Sequence, residues 1–260
     1  MISIVTPTYN TPAHLLERTW QSLANQSFKD FEWVVYDDSD KPDTFQLLRD
    51  MAARKDVLMN VYTASKPSNG NIGYVKHKAF MSAHGKILVE LDHDDELTGD
   101  CLRSIYDTFR EKPETKFVYS NWAEINEEGQ SCRYPAGWAF GYGSDYWDDV
   151  HQKWTMNAPE INRTTVSHIV SAPNHVRVWN AQFYKEIGGH NPYLVVADDY
   201  ELVLRTVLAT KDIVKINKLL YIQHINSGTA QRVYNNLIQF KVPHIHAMYS
   251  DQLDQRFYAE

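Results

Sequence analysis

The sequence is short of cysteine. Among its 260 residues only Cys101 and Cys132 occur, and there is no C-x-x-C. That excludes a disulfide scaffold and a cysteine-based zinc or redox motif, and a chain of this length buries most of its surface without such staples. The two thiols read as packing or chance thiols in a chain that needs no oxidising compartment. Positive charge is not in excess either. The formal net charge is −7, which disfavours generic phosphate-backbone binding while leaving room for a local basic groove. No run of 18 apolar residues is present, so no transmembrane helix is expected. The opening "MISIVTPTYN" lacks the basic n-region and long apolar stretch of a secretory signal, and a cytoplasmic location is the expectation. Repeats and low-complexity tracts are missing. What is there is ordinary for a globular protein, with 43% hydrophobic and 23% charged residues, enough for one domain or two fused subdomains. Aromatics reach 13%, which suits sugar-stacking faces and folded cores alike.

In the first half, short apolar runs alternate with helical periodicity. "ISIVT" (2–6), "FEWVVYDD" (31–38), "LMNVYT" (58–63) and "KILVEL" (86–91) read as strands. Thr11 as N-cap and Pro12 at N1 open a helix bearing Leu15, Leu16, Thr19, Trp20 and Leu23. A second helix covers 43–54. A third runs over 74–83 and stops at Gly85, in the place of a C′ glycine. The alternation predicts a mostly parallel sheet covered on both faces. Ligands on such sheets bind beyond the carboxyl ends of the strands, where "TPTYN", "DDSD" and "DHDD" all fall. These polar clusters are expected to converge on one crevice.

The second half is less regular. A strand and hairpin are expected over 117–130, a helix ended by glycine over 179–189, a helix with acids in its first turn over 198–210, and paired strands over 213–224. The tail from Thr229 reads as helical until Pro243. Residues 131–165 hold no clear period, and an irregular stretch that long inside a domain is usually functional or mobile.

The most pointed feature is "LVELDHDDELTG" (88–99), where Asp92, Asp94, Asp95 and Glu96 follow an apolar run. Two readings stand. One is a solvated turn whose acids cap the next helix. The other is a site for Mg²⁺ or Mn²⁺, which favour carboxylate oxygen and usually combine few protein carboxylates with substrate phosphates. In that case the missing positive charge arrives with the substrate.

Five segments in order resemble family-2 glycosyltransferases, enzymes with the nucleotide-sugar-binding GT-A fold. They are "SIVTPTYN", "WVVYDDSD", "LDHDDELT", "IGGHNPYLVVADDYELVLR" and "LLYIQHINSGT", spanning residues 2 to about 229. The resemblance implies an α/β fold, a GT-A-type Rossmann-like mixed sheet flanked by helices in a single domain. Residues 1–228 would form that domain, with about 1–115 as the nucleotide-sugar half and about 116–228 as the acceptor and catalytic half. Residues 229–260 would be a helical tail. It also implies an inverting transfer of a single sugar from a nucleoside-diphosphate sugar to a hydroxyl of a glycan or other acceptor, with Mn²⁺ or Mg²⁺. No nucleic-acid partner is expected, and membrane contact would be peripheral, through a lipid-linked acceptor. The Q-x-x-R-W signature of processive relatives is absent.

Roles carry over residue by residue. Thr6, Pro7 and Tyr9 match the loop around base and ribose. Asp37 and Asp38 match the turn that accepts a hydrogen bond from the base, which favours a uracil-like donor. The usual following glycine is replaced there by Ser39. Lys76 stands where the family often has Arg and offers charge without a bidentate fork; as residues alone it also reads as an exposed helix lysine. Asp92 is matched to the ribose and Asp94 to the metal. His224 is matched to the metal or diphosphate, with a structural histidine as the alternative. Asp199 is matched to the catalytic base. It follows Asp198 where the family has Glu, and burial and Asp198 would offset the helix N-terminus that weakens it. Arg205, six residues on, is expected to pair with a carboxylate or support the fold.

The acceptor side is expected from 131–180, where Trp138, Tyr142, Tyr146, Trp147, Trp154, His168, His175 and Trp179 offer rings. Asn174 and His175 follow a proline in what reads as an exposed turn, and Asp198 bears on acceptor position. Each ring also reads as core. The competing functions are a non-catalytic nucleotide-sugar- or carbohydrate-binding module, a transferase acting on a nucleic-acid base, and a nucleotidyltransferase. "TPTYNTPAH" lacks the Gly-rich basic loop that the last requires.

Overall fold

The computed structural model describes every residue except 65, 135–140, 142, 169–172, 226–229 and 259–260. Its centre is a mixed sheet. Four strands from the first half, β1 (Ile2–Thr8), β2 (Phe31–Asp37), β3 (Met59–Thr63) and β4 (Ile87–Glu90), lie parallel in the order β3-β2-β1-β4. Ile2, Ile4, Val5, Trp33, Val34, Val35 and Val89 are fully buried. Such runs need cover on both faces, and α1 (Ala13–Ala24), α2 (Pro42–Ala52) and α3 (Ile72–Met81) supply it. Beyond β4 the sheet continues through β9 (Arg177–Asn180), β6 (Phe117–Ile125), β10 (Ile213–His224) and β5 (Glu96–Leu97). Strand β9 is antiparallel to both β4 and β6, and β6 and β10 are parallel. The carboxyl ends of β1, β2, β4, β6 and β10 therefore share one edge, the edge predicted for the ligand.

Several boundaries differ from expectation for physical reasons. Gly85 is not a helix C′ residue, because α3 ends at Met81. A Cβ on Gly85 would sit 2.6 Å from the Ser3 backbone nitrogen, so the glycine serves the close approach of the chain to β1. The helix expected over 179–189 begins as strand: Trp179 pairs with Leu88 and Phe117 before α6 (Ala181–Glu186) starts. The paired strands expected over 213–224 are one strand, whose register with β6 slips between Ile216 and Leu219 and again before Tyr221. A bulge of this kind bends a strand and redirects its side chains. Residues 131–165 contain a hairpin, β7 (Ser144–Asp148) with β8 (Lys153–Asn157). The helix α4 (Cys101–Glu111) also went unread in the sequence.

The tail does not stop at Pro243. Helix α9 (Asn235–Tyr258) runs through it. A proline removes one backbone donor and normally kinks or breaks a helix, but here apolar contacts flank it on both sides. Val242, Ile245 and Leu253 join Tyr200, Val203 and Val207 of α7 (Asp198–Ala209) in a second core. Arg256 donates to the carbonyls of Val207 and Thr210 at 3.0 and 2.9 Å, satisfying the free end of α7. Tertiary burial overrides the local breaker. Leu253→Ala is expected to lower the unfolding free energy by about 2–5 kcal/mol, read from the midpoint of urea denaturation.

Candidate active site

The site is assembled around one buried acid. Glu90, at the end of β4, is fully buried. An ionised carboxylate there must be paired. Lys76 of α3 places its ammonium 2.6 Å from Oε1, and Arg177 of β9 places Nε 3.3 Å from Oε2. Burial pushes the Glu90 carboxyl up, but Arg177 and Lys76 outweigh it and hold the group well below the usual carboxylate range. Burial likewise pulls Lys76 down, and Glu90 with Asp198 more than restores its charge.

Arg177 carries the arrangement outward. Its Nη1 donates to Asp199 Oδ2 at 2.9 Å, and its Nη2 lies 3.1 Å from His175 Nε2. His175 Nε2 is 3.4 Å from Asp92 Oδ2, and the imidazole stacks on Tyr221 with centroids 4.5 Å apart. Arg177 thus bonds Asp199 directly and feels the charge of Asp92, with His175 lying between Arg177 and Asp92. Both carboxylates keep 31% of their side-chain surface exposed.

Two adjacent acids at the start of α7 have opposite environments. Ala197, in the left-handed region at φ 58°, precedes them. Asp198 is buried, and its Oδ2 has no hydrogen-bond partner. Burial, with Asp199 and Glu90 nearby, raises its carboxyl. For Asp199 burial acts in the same direction, but Arg177 and Lys76 prevail and lower it. Burial, expected with Asp198 to offset the helix N-terminus, does push the carboxyl up, but Arg177 outweighs it. Behind them His190 is fully buried. Burial lowers its pKa to about 3, so the ring is neutral at neutral pH. The loop carrying His190 lies on the start of α3 because position 73 is glycine: a Cβ there would meet Asn191 O and Leu194 O at 2.4 Å.

At the strand ends, acids divide between scaffold and crevice. Asp37 Oδ1 accepts from Thr8 at 3.0 Å and from Ser39 Oγ at 2.5 Å, while Asp38 accepts from Ser68 N and Oγ at 2.8 and 2.6 Å. Both carboxylates hold the turn. Asp95 is buried and bonded to Tyr221 Oη and His224 N, each at 2.7 Å. Asp94 stands beside His93 with 14% of its side chain exposed.

Some expectations need correction. Thr6 is fully buried and accepts the Trp33 indole N–H at 2.9 Å, so its side chain belongs to the core. Pro7 is half-buried in β1, and Tyr9 is 48% exposed at the crevice rim. Lys76 is neither an exposed helix lysine nor an open cation, being committed to Glu90. His224 Nε2 is 2.6 Å from Glu96 Oε1, which commits that nitrogen and leaves Nδ1 as the ring's remaining metal-binding atom. Trp179 is a core ring, fully buried and bonded to Thr206 Oγ1 at 3.0 Å. Asn174 and His175 are buried, not an exposed turn, and Asn174 donates to Gln223 at 3.2 Å. Trp138, Tyr142 and the side chain of His168 lie outside the described residues. Trp154 packs edge-on to Trp147 and carries the Arg133 guanidinium over its face. Arg205 pairs with Glu201 at 2.6 Å, as expected. Glu90, Arg177 and His190 were missed as site residues. A lone charge inside "ILVEL" or "HVRVW" was the available signal, since a charge in a buried strand demands a partner.

Among the described residues no group of three or more acid, histidine or cysteine side chains forms a metal cage. The oxygen donors Asp92 and Asp94 nonetheless fit an ion that takes few protein carboxylates and completes its shell with phosphate.

The family model described as Glycosyl transferase family 2 matches residues 3–167. The chain belongs to glycosyl transferase family 2. It is 28% identical over 88% of its length to the uncharacterized protein y4gI of Sinorhizobium fredii, and 25% identical over 88% to the O-antigen biosynthesis protein RfbC of Myxococcus xanthus. It spans only 23% and 16% of those two proteins. Among solved structures, S. aureus TarS in complex with UDP-GlcNAc superposes with a TM-score of 0.66 at 19% identity, covering 88% of this chain and 59% of TarS. The mannosyltransferase PcManGT of Pyrobaculum calidifontis, in complex with GDP-Man and Mn²⁺, gives 0.64 at 15%, covering 97% and 67%. The fold of this family-2 chain is accordingly GT-A, a mixed sheet flanked by helices.

Removing one partner of a buried ion pair leaves the other uncompensated, so Glu90→Gln is expected to cost about 3–5 kcal/mol at neutral pH. Because the folded carboxyl lies below its unfolded value, its contribution is complete above about pH 5 and fades as pH falls. The difference between wild type and Glu90→Gln in denaturant unfolding should therefore shrink on acidification.

Proposed function

We propose that this chain is the catalytic domain of an inverting glycosyltransferase that moves one sugar from a nucleoside-diphosphate sugar, UDP-linked, to a hydroxyl acceptor. The observation that carries this reading is the pair of partly exposed carboxylates, Asp92 and Asp199, at the two ends of the contact between His175 and Arg177.

Asp92 would orient the ribose, with Tyr9 and the turn held by Asp37 and Asp38 framing the base. TarS, crystallised with UDP-GlcNAc, supports a uridine donor. A divalent ion held by Asp94, Mg²⁺ or Mn²⁺, would supply positive charge to the leaving diphosphate. Asp199 would accept the proton of the attacking hydroxyl. At rest it is a weak base bonded to Arg177 and to the Tyr200 N–H at 2.8 Å, so the acceptor hydroxyl would approach a remaining lone pair of the carboxylate. Asp198, buried behind it, would keep the start of α7 in position. A glycan acceptor, free or lipid-linked, agrees with the O-antigen role of RfbC. No helix among the described residues is long and apolar enough to cross a membrane.

The engagement of both Asp199 oxygens favours a second reading, a non-catalytic nucleotide-sugar-binding module on the same scaffold. Calorimetry with UDP, GDP, dTDP and CDP, each with Mn²⁺ and with EDTA, tests the donor site, and binding by none of the four would reject it. Asp94→Ala should weaken Mn²⁺-dependent UDP binding at least about tenfold, a loss of about 1.4 kcal/mol. Asp199→Asn should leave UDP affinity unchanged while lowering turnover about 10²–10⁴-fold. Turnover unaltered by Asp199→Asn would remove it as the base, and donor binding without turnover across an acceptor panel would favour the module.

A further inference from the structure

A second opening lies apart from the crevice of carboxylates. A cleft of about 1010 Å³ lies between the β7–β8 hairpin, the residues leading into α4 and the bulged part of β10. None of Asp37, Asp38, Asp92, Asp94 or Asp199 lines it. Its origin is local. The slip in register around Asn217 and Lys218 turns them outward, and the hairpin, attached to β6 through Trp122 and Met156, stands opposite.

We propose that this cleft is a second binding site, and that its ligand is a neutral oligosaccharide. Charge compensation carries the argument. Lys215 is 3.1 Å from Glu160, Lys218 is 3.5 Å from Asp100, and His151 is 2.9 Å from Asp148. Asp148 also accepts the backbone N–H groups of Val150 and His151 at 3.1 and 2.8 Å. Among the described residues lining the cleft, both ammonium groups are already matched by carboxylates, so none stands uncommitted to hold a phosphate. Each carboxylate has its own donor, so none calls for a metal.

What the cleft offers instead is amide and hydroxyl chemistry. Asn121 donates one amide hydrogen to Tyr146 Oη at 3.3 Å and accepts Ala158 N–H at 2.9 Å, leaving its second amide hydrogen. Tyr146 thereby receives a bond and keeps its own O–H for a ligand. Asn157 is fixed by Lys215 at 3.1 Å, and Asn217 is exposed on the bulge. Planar amides and a phenol that present paired donors and acceptors match the hydroxyl groups of a sugar, and the Tyr146 ring offers an apolar edge. The volume lies at the upper end of the range for sites that hold drug-sized ligands, which suits a few sugar rings more than one.

This inference does not rest on the donor reading, and the two are tested separately. Wild-type protein is titrated calorimetrically with neutral gluco- and galacto-oligosaccharides from mono- to hexasaccharide, in EDTA, and with UDP and Mn²⁺ as a separate arm. Saturable binding that strengthens with oligosaccharide length is expected, together with a loss of about three- to tenfold in Asn217→Ala, the consequence of one lost hydrogen bond. Tyr146→Ala should lose more. Asp94→Ala should bind oligosaccharide as wild type does. Asn217 is a surface residue, so its variant reports on the cleft even if Tyr146→Ala fails to fold. Absence of oligosaccharide binding across the series would overturn the proposal. So would binding that neither cleft variant alters. Failure of UDP to bind would instead count against the donor site alone.

Discussion

A fully buried carboxylate, Glu90, is the constraint on which the site depends. An acid without water must recruit cations, and the two it recruits come from different elements, Lys76 on α3 and Arg177 on β9. Their charges are thereby fixed in space, and Arg177 has further donors to spend. One reaches Asp199 at the start of α7, and another reaches His175, which leans on Asp92. By pairing with Glu90 and Asp199 together, the guanidinium ties the start of α7 to the end of β4. Buried pairs of this kind add little net stability over apolar packing, so their value here lies in geometry.

The same network explains why neighbouring acids behave differently. Asp198 and Asp199 are consecutive, yet one turns into the protein with an unpartnered oxygen and the other meets Arg177. Burial dominates the first and a nearby cation the second, which separates their proton affinities in opposite directions. Along the sheet edge a similar division holds. Asp37, Asp38 and Asp95 are consumed by hydroxyl and backbone donors and shape the turns, while Asp92 remains half-open to the crevice. An acidic cluster in a sequence is therefore part scaffold and part site, and the division is made by which donors come within reach.

The parallel core of the first half was legible, since β1 to β4 come from apolar runs of the right length and each ends in polar residues at one edge. The acids 198 and 199 fall in the first turn of α7 where the pattern placed them. The second half was read less well because its structure is made by distant partners. Trp179 looked like part of a helix and a sugar-stacking ring. It is a strand residue between β4 and β6, with its indole N–H satisfied by Thr206. Pro243 looked like a stop and is carried through by the core between α7 and α9.

What the sequence determined by itself is whatever depends on neighbours in the chain: strand and helix periodicity, the motif order that matches the family, and the acids at the ends of β2 and β4. Tertiary structure alone decided the rest. It turned Lys76 from a surface cation into the partner of a buried acid, took Thr6 and Trp179 into the core, and bound His224 to Glu96. It also set the state of Asp199 through Arg177, a cation that local reasoning did not supply. The physical reason is common to all of these. A side chain's charge state and availability depend on burial and on charges within a few ångströms, and those neighbours lie tens of residues away along the chain.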